Sequence, residues 1–176
     1  ALLATLPKFT TQQMMAMLDS AQRIYVANGF TTAQDGRTDP RTLSVLPVAA
    51  KAGIFKIDVV TYPDLVSNEK NPLLTGSLMS RTYTDHLRIG GVKLGFDGSP
   101  QGKTAWFTQP YFQVPDGERP DYRGFPSFAT DAEPERLMAL AYRNGWQVMV
   151  HANGDAAIDQ LIRVARAAQS EVPGTD

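Results

Sequence analysis

The sequence predicts an α/β fold on a parallel sheet, and three observations predict it. Short apolar or β-prone runs alternate with stretches whose apolar residues recur three and four positions apart, the pattern of βαβ units. The run Val92-Lys93-Leu94-Gly95-Phe96 is apolar on both faces apart from one lysine, as in strands covered on two sides. No Gly-x-Gly-x-x-Gly follows the first strand and no Walker phosphate loop occurs. That weakens the nucleotide-binding form of an open doubly wound sheet, and part of a (β/α)8 barrel gains by it.

The elements follow in order. Thr10 and Thr11 can cap a helix running from about Gln12 through Met14, Met15, Leu18, Ala21 and Tyr25 to the stop at Asn28-Gly29. The methionines at 14, 15 and 17 are read as core and helix filler. Phe30 to Gln34 reads as a strand that runs into a turn at Asp35-Gly36. A second helix is expected from Thr42 to Ala52 and a second strand from Ile54 to Tyr62, ended by Pro63-Asp64. Asn71-Pro72 and Gly76 interrupt residues 64 to 85, where one short helix is expected. Leu87-Arg88-Ile89 and Gly90-Gly91 then lead into the buried strand at 92–96.

From Asp97 to Thr130 glycine, proline and aromatic residues follow no period, which predicts a long loop with aromatic cover. Asp131 to Glu135, acidic and with Pro134, opens a helix whose buried stripe is Leu137, Leu140 and Ala141 and which stops at Asn144-Gly145. Trp146 to His151 is a strand ending in a histidine, and Gly154-Asp155 caps a last helix from Ala156 to about Ala168.

Seventeen basic and eighteen acidic residues, with no basic run, give no electrostatic platform for nucleic acid or anionic lipid, so a small neutral partner is expected. Without cysteine there is neither a disulfide framework nor a thiolate zinc site, and cytoplasm stands only as the default compartment. Residues 1–7 are apolar but lack a preceding basic region, and no apolar run reaches the length of a membrane span. They are read as a loop or helix entry, and the missing initiator Met as the sign of a mature or excised chain.

In parallel α/β folds chemistry sits at the carboxyl ends of strands. Four residues there stand out: Asp35, Lys93, Asp97 and His151. A strand-end imidazole can ligate a divalent metal, shuttle a proton or simply be hydrogen-bonded in place. An amine on a strand buried on both sides must be neutralised or paired. Lys93 is therefore a Schiff-base nucleophile, a carbamate bridging metals, or the partner of a carboxylate such as Asp97 or Asp35. Asp97 before Gly98 and Asp155 after Gly154 have ordinary work as a turn residue and a helix cap, and His86 reads as a solvated loop residue.

The run Gly91 to Ser99, continuing through Gly102-Lys103-Thr104-Ala105 to Gln109-Pro110-Tyr111, resembles the strand-four region of the amidohydrolase superfamily. The resemblance is to the branch containing N-substituted formamide deformylase, amidohydrolase family 3. Val150-His151-Ala152-Asn153-Gly154-Asp155 to Asp159 resembles that branch's strand-five segment, and Asn28 to Asp35 its strand-two segment. Pro100-Gln101 and Lys103 depart from the branch, which usually has a small or apolar pair and an arginine there.

The resemblance implies a (β/α)8 barrel with metals held by a His-x-His on strand one, a carboxylated lysine or glutamate on strand four, histidines on strands five and six and an aspartate on strand eight. Lys93 and His151 fall on two of those positions, as carbamate bridge and imidazole ligand. The implied reaction is attack of metal-activated water on an amide or other C–N bond, with zinc the expected metal and the strand-eight aspartate as proton shuttle. Asp97, Tyr111 and Trp106 are the candidates to meet a small amide substrate, with filling of the loop's own small core the favoured use of Tyr111 and Trp106.

The sequence contains no His-x-His and ends about where strand six would begin, so residues 1–176 are expected to be one incomplete barrel, strands two to five. Alone it is expected to bind metal weakly or not at all, to be inactive and to self-associate through open edges. Two other readings stand beside this one: a binding or regulatory half-barrel without the reaction, and a metal-free Schiff-base enzyme using Lys93.

Overall fold

A computed structural model describes residues 9–174, so the reading of residues 1–7 lies outside the described residues. The chain forms two compact units, one ending at Gly90 and the other beginning at Gly91.

The first unit holds α1 (Thr11–Ala27), β1 (Thr32–Thr38), α2 (Pro40–Lys51), β2 (Asp58–Pro63), α3 (Leu65–Asn68), a 3-10 turn (Pro72–Thr75) and β3 (Leu87–Ile89). Its three strands are parallel in the order β1-β2-β3. Thr10 caps α1 in a reciprocal pair with Gln13, each side chain bonding the other's backbone N–H. Asp39 caps α2 ahead of Pro40, which loses no helical bond in the first turn. The core forms where Leu46, Ala49 and Ala50 of α2 meet Phe55 and Leu87, with Met15 and Leu18 of α1 packed against them.

Two details differ from the expectation for this unit. Met17 is 52% exposed, and the buried residue of α1 is Gln22, whose amide donates to the Ile54 carbonyl (2.7 Å) and accepts from the Lys56 N–H (2.6 Å). A polar residue on the inner face breaks the apolar stripe because it satisfies two backbone groups at the entry to β2. The strand at Thr32 also runs through Asp35-Gly36 to Thr38, with a register shift that absorbs the glycine instead of a turn.

The second unit holds β4 (Val92–Gly95), α4 (Ala132–Arg143), β5 (Val148–His151) and α5 (Asp155–Glu171). β4 and β5 pair in parallel. Thus Leu87–Ile89 and Val92–Gly95 are separate strands with separate partners, β2 and β5. The doublet Gly90-Gly91 allows the separation: a Cβ on Gly90 would lie 2.7 Å from Val60, and one on Gly91 2.1 Å from the Gln147 carbonyl oxygen.

The expected long loop spans the region between β4 and α4, and its aromatic residues give it a core of its own. Tyr111 packs edge-on to Phe107 and stacks on Tyr122 (centroids 5.2 and 5.9 Å apart). The Tyr111 hydroxyl donates to the Ala105 carbonyl and the Tyr122 hydroxyl to that of Lys103. Burial, followed by the neighbouring Tyr122, pushes the Tyr111 phenol above its ordinary pKa.

Asp131 stands at the N-cap position of α4 but does not cap it with its side chain. Its carboxylate instead accepts from Arg163 Nε (2.9 Å) and Gln160 Nε2 (3.0 Å) of α5. The Arg163 hydrogen bond, chiefly, holds the Asp131 pKa below the usual carboxylate range. A depressed folded pKa adds stability above the unfolded value, and that stability is lost as pH falls through the folded one. In Asp131→Asn that part of the acid sensitivity is expected to vanish. The checking measurement is urea midpoint against pH from neutrality down through the carboxylate range, where the variant's curve should be the flatter.

Candidate functional site

The parallel register places Lys93 opposite Met149 and Gly95 opposite His151. Paired residues and residues two apart share a face of a sheet, so the Lys93 and His151 side chains leave β4 and β5 on the same side. Strand spacing and rise put their Cα atoms about 8 Å apart on the diagonal. The other face carries Val92 and Leu94, 0% and 1% exposed, with Val148 and Val150 beside them. The alternation puts Lys93 on the face away from Val92 and Leu94, and Lys93 itself is half-buried rather than enclosed on both sides as expected.

At the carboxyl end of β5 the His151 imidazole is fixed by its Nε2 atom, 2.8 Å from the Gly98 carbonyl oxygen. A carbonyl oxygen only accepts, so at that distance Nε2 carries the proton. Nδ1 is then the lone-pair atom, and it has no hydrogen-bond partner among the described residues. A metal-binding histidine needs this division of labour, one nitrogen anchored by an outer partner and the other open. Asn153 Nδ2 donates to the same Gly98 carbonyl (3.0 Å) and lies 3.3 Å from Nε2.

Asp97 stands immediately behind this contact. Its side chain is fully buried, with Oδ2 accepting from the N–H groups of Trp106 (2.9 Å) and Gly154 (2.8 Å) and Oδ1 from that of Asn153 (2.9 Å). Oδ1 also lies 3.5 Å from His151 Nε2. One carboxylate therefore ties the end of β4 to the long loop and to the β5–α5 connection. Nothing in the run Asp97-Gly98-Ser99 distinguishes this from a turn aspartate, because its three donors are backbone groups up to 57 positions away.

Asp155, expected as the cap of α5, lies one residue inside the helix, with Gly154 at the cap position. Its carboxylate accepts from the Thr108 N–H and hydroxyl (2.8 and 2.5 Å) and so straps the loop to the helix end. These bonds, the Thr108 hydroxyl first, hold its pKa down. Trp106 joins the same strap through its backbone, donating its N–H to Asp97 and accepting from the Ala157 N–H at 3.4 Å.

In the first unit, Asp35 lies in the middle of β1 rather than at its carboxyl end, because the strand continues to Thr38; its carboxylate accepts from the Thr38 hydroxyl (2.8 Å), and that hydroxyl in turn meets Thr61. His86 is exposed and pairs with Asp58 at 2.9 Å. Arg37, unremarkable in the sequence, donates its Nε–H to the mostly buried Asp64 carboxylate at 2.6 Å.

Among the described residues no three His, Cys, Asp or Glu side chains converge as a metal-binding group. Lys93 and His151 leave the sheet on one side, two side chains where a zinc site uses three or four protein ligands. Also among the described residues, no helix is long and apolar enough to cross a membrane.

Residues 1–176 match the family described as Amidohydrolase family. Two solved structures are similar to the chain. One is an uncharacterized metal-dependent hydrolase from Pyrococcus furiosus, with TM-score 0.72 and 25% identity over 92% of this chain and 32% of that one. The other is an uncharacterized metal-dependent hydrolase from Pyrococcus horikoshii OT3, with TM-score 0.72 and 25% identity over 94% of this chain and 32% of that one. The chain thus spans about a third of the length of the solved structures it matches. No curated protein matches it.

Proposed function

The chain belongs to the amidohydrolase family, and from that premise we propose that it is the central part of a metal-dependent hydrolase acting on amide or other C–N bonds. In this reading it supplies strands two to five of a (β/α)8 barrel, in the branch that contains N-substituted formamide deformylase. The observation that carries the proposal is the shared face of Lys93 and His151, with the imidazole Nδ1 open and Nε2 anchored.

Lys93, carboxylated on its amine, and His151 through Nδ1 would hold the metal, zinc being the expected ion. When bound, that metal supplies the activated water. The residues of this chain do the positioning. The Gly98 carbonyl anchors the ring through Nε2, and the strap at Trp106 and Thr108 holds the loop. Tyr111 and Trp106 belong to the loop that would meet a small amide substrate.

With two donors of an incomplete set, the chain alone is expected to bind zinc weakly and to turn nothing over. Its strand edges and exposed apolar side chains favour self-association. The test is metal content after zinc loading and dialysis, compared between this chain and a form extended at both ends to the length of its structural neighbours. The expected result is stoichiometric metal in the extended form, lost in Lys93→Met and in His151→Ala. An extended form that retains no metal sinks the proposal, and borohydride trapping of Lys93 with a carbonyl compound would put a Schiff-base enzyme in its place.

A further inference from the structure

We propose that Asp97 is a positioning residue that sets the tautomer of His151, rather than a group that touches substrate. The inference rests on the functional reading above, because it assigns His151 Nδ1 the metal-facing role. The carboxylate is wholly buried and immobilised by three backbone N–H groups, so it cannot swing toward a ligand without leaving three donors unsatisfied. Those donors do not cancel its negative charge, and Oδ1 lies 3.5 Å from His151 Nε2.

An imidazole beside a fixed carboxylate and a carbonyl keeps its proton on the nitrogen that faces them. Both groups face Nε2: the Gly98 carbonyl oxygen at 2.8 Å and the Asp97 carboxylate behind it. Asn153 is the remaining neighbour, and its amide also points at the Gly98 carbonyl, which leaves the ring proton as the other donor to that oxygen. The lone pair is thereby held on Nδ1 before any ion arrives. Asp97 performs a second task with the same atoms, since its bonds to Asn153 and Gly154 fix the backbone immediately after His151.

The experiment reads the tautomer directly, on the metal-free chain, by long-range 1H–15N correlation of the His151 ring well above the ordinary imidazole pKa. His86→Gln assigns the other ring. The expected result is the Nε2–H form in the unsubstituted chain, and an Nε2–H to Nδ1–H ratio about tenfold lower in Asp97→Asn. Asn153→Ala, which keeps the carboxylate and the backbone donor, is expected to leave the ratio unchanged.

An Nδ1–H ring in the unsubstituted chain overturns the proposal, as does an Asp97→Asn ratio equal to that of the unsubstituted chain. If Asp97→Asn does not fold, a shift in Asn153→Ala overturns it by showing that the amide sets the proton. Failure of the metal-centre reading is seen separately, as an extended chain that holds no metal while the tautomer stays as expected.

Discussion

Asp97→Ala is expected to destabilise the second unit by about 3–5 kcal/mol, among the largest effects of any single substitution in this chain. The substitution removes the acceptor for the Trp106, Asn153 and Gly154 N–H groups at once. Each buried donor left without a partner costs about 1–3 kcal/mol. The Gly154 donor is buried and the other two are partly so, which lets water recover some of the loss and keeps the total below the sum of three full penalties. Urea unfolding measures the effect as a lower midpoint at unchanged slope. Asp155→Ala is the comparison, since that carboxylate holds Thr108 at an exposed position and its loss should cost less than half as much. Equal midpoints for the two variants would remove Asp97 from the centre of the unit.

The contrast between these aspartates marks how far the sequence can be read. Elements with a periodic apolar face or a stop signal were readable: α1 ends at Ala27 against an expected stop at Asn28-Gly29, and α4 spans Ala132–Arg143 as its acidic first turn and Asn144-Gly145 imply. His151 was readable as a strand-end residue because the apolar run before it ends there, and Lys93 because an amine interrupts an apolar strand. The face the two share was expected only through the family resemblance, since it depends on the register of β4 against β5, which strand sequences alone do not state. The role of Asp97 or Gln22 was not readable, since their partners are backbone groups distant in sequence and silent in composition. That Leu87–Ile89 is a strand in its own right escaped for a similar reason: three residues before Gly90-Gly91 read as a lead-in to the next strand until their partner β2 is assigned.

Gly154→Ala is expected to do comparable damage by a different route. A Cβ at position 154 would lie 1.8 Å from the Trp106 carbonyl oxygen and 2.3 Å from its carbonyl carbon, where ordinary contact begins at 3.4 Å. Both atoms are backbone, so no rotamer change relieves the clash, and the loop must retreat from the start of α5 by more than an ångström. That retreat pulls the Trp106 N–H from Asp97 and the Thr108 groups from Asp155, bonds that hold the loop beside His151. The expected cost is about 3–5 kcal/mol, or loss of folding of the unit. Gly117→Ala isolates the conformational part, because Gly117 has φ +83° and nothing within 4 Å of an added Cβ. That change should cost about 1–2 kcal/mol, the penalty of a left-handed alanine alone. Urea midpoints of the two variants measure the difference, with Trp146→Phe introduced into both so that tryptophan emission reports on Trp106 alone. A Gly154→Ala midpoint no lower than that of Gly117→Ala would mean that the loop does not rest on the helix end, and the strap would then have no part in placing the imidazole.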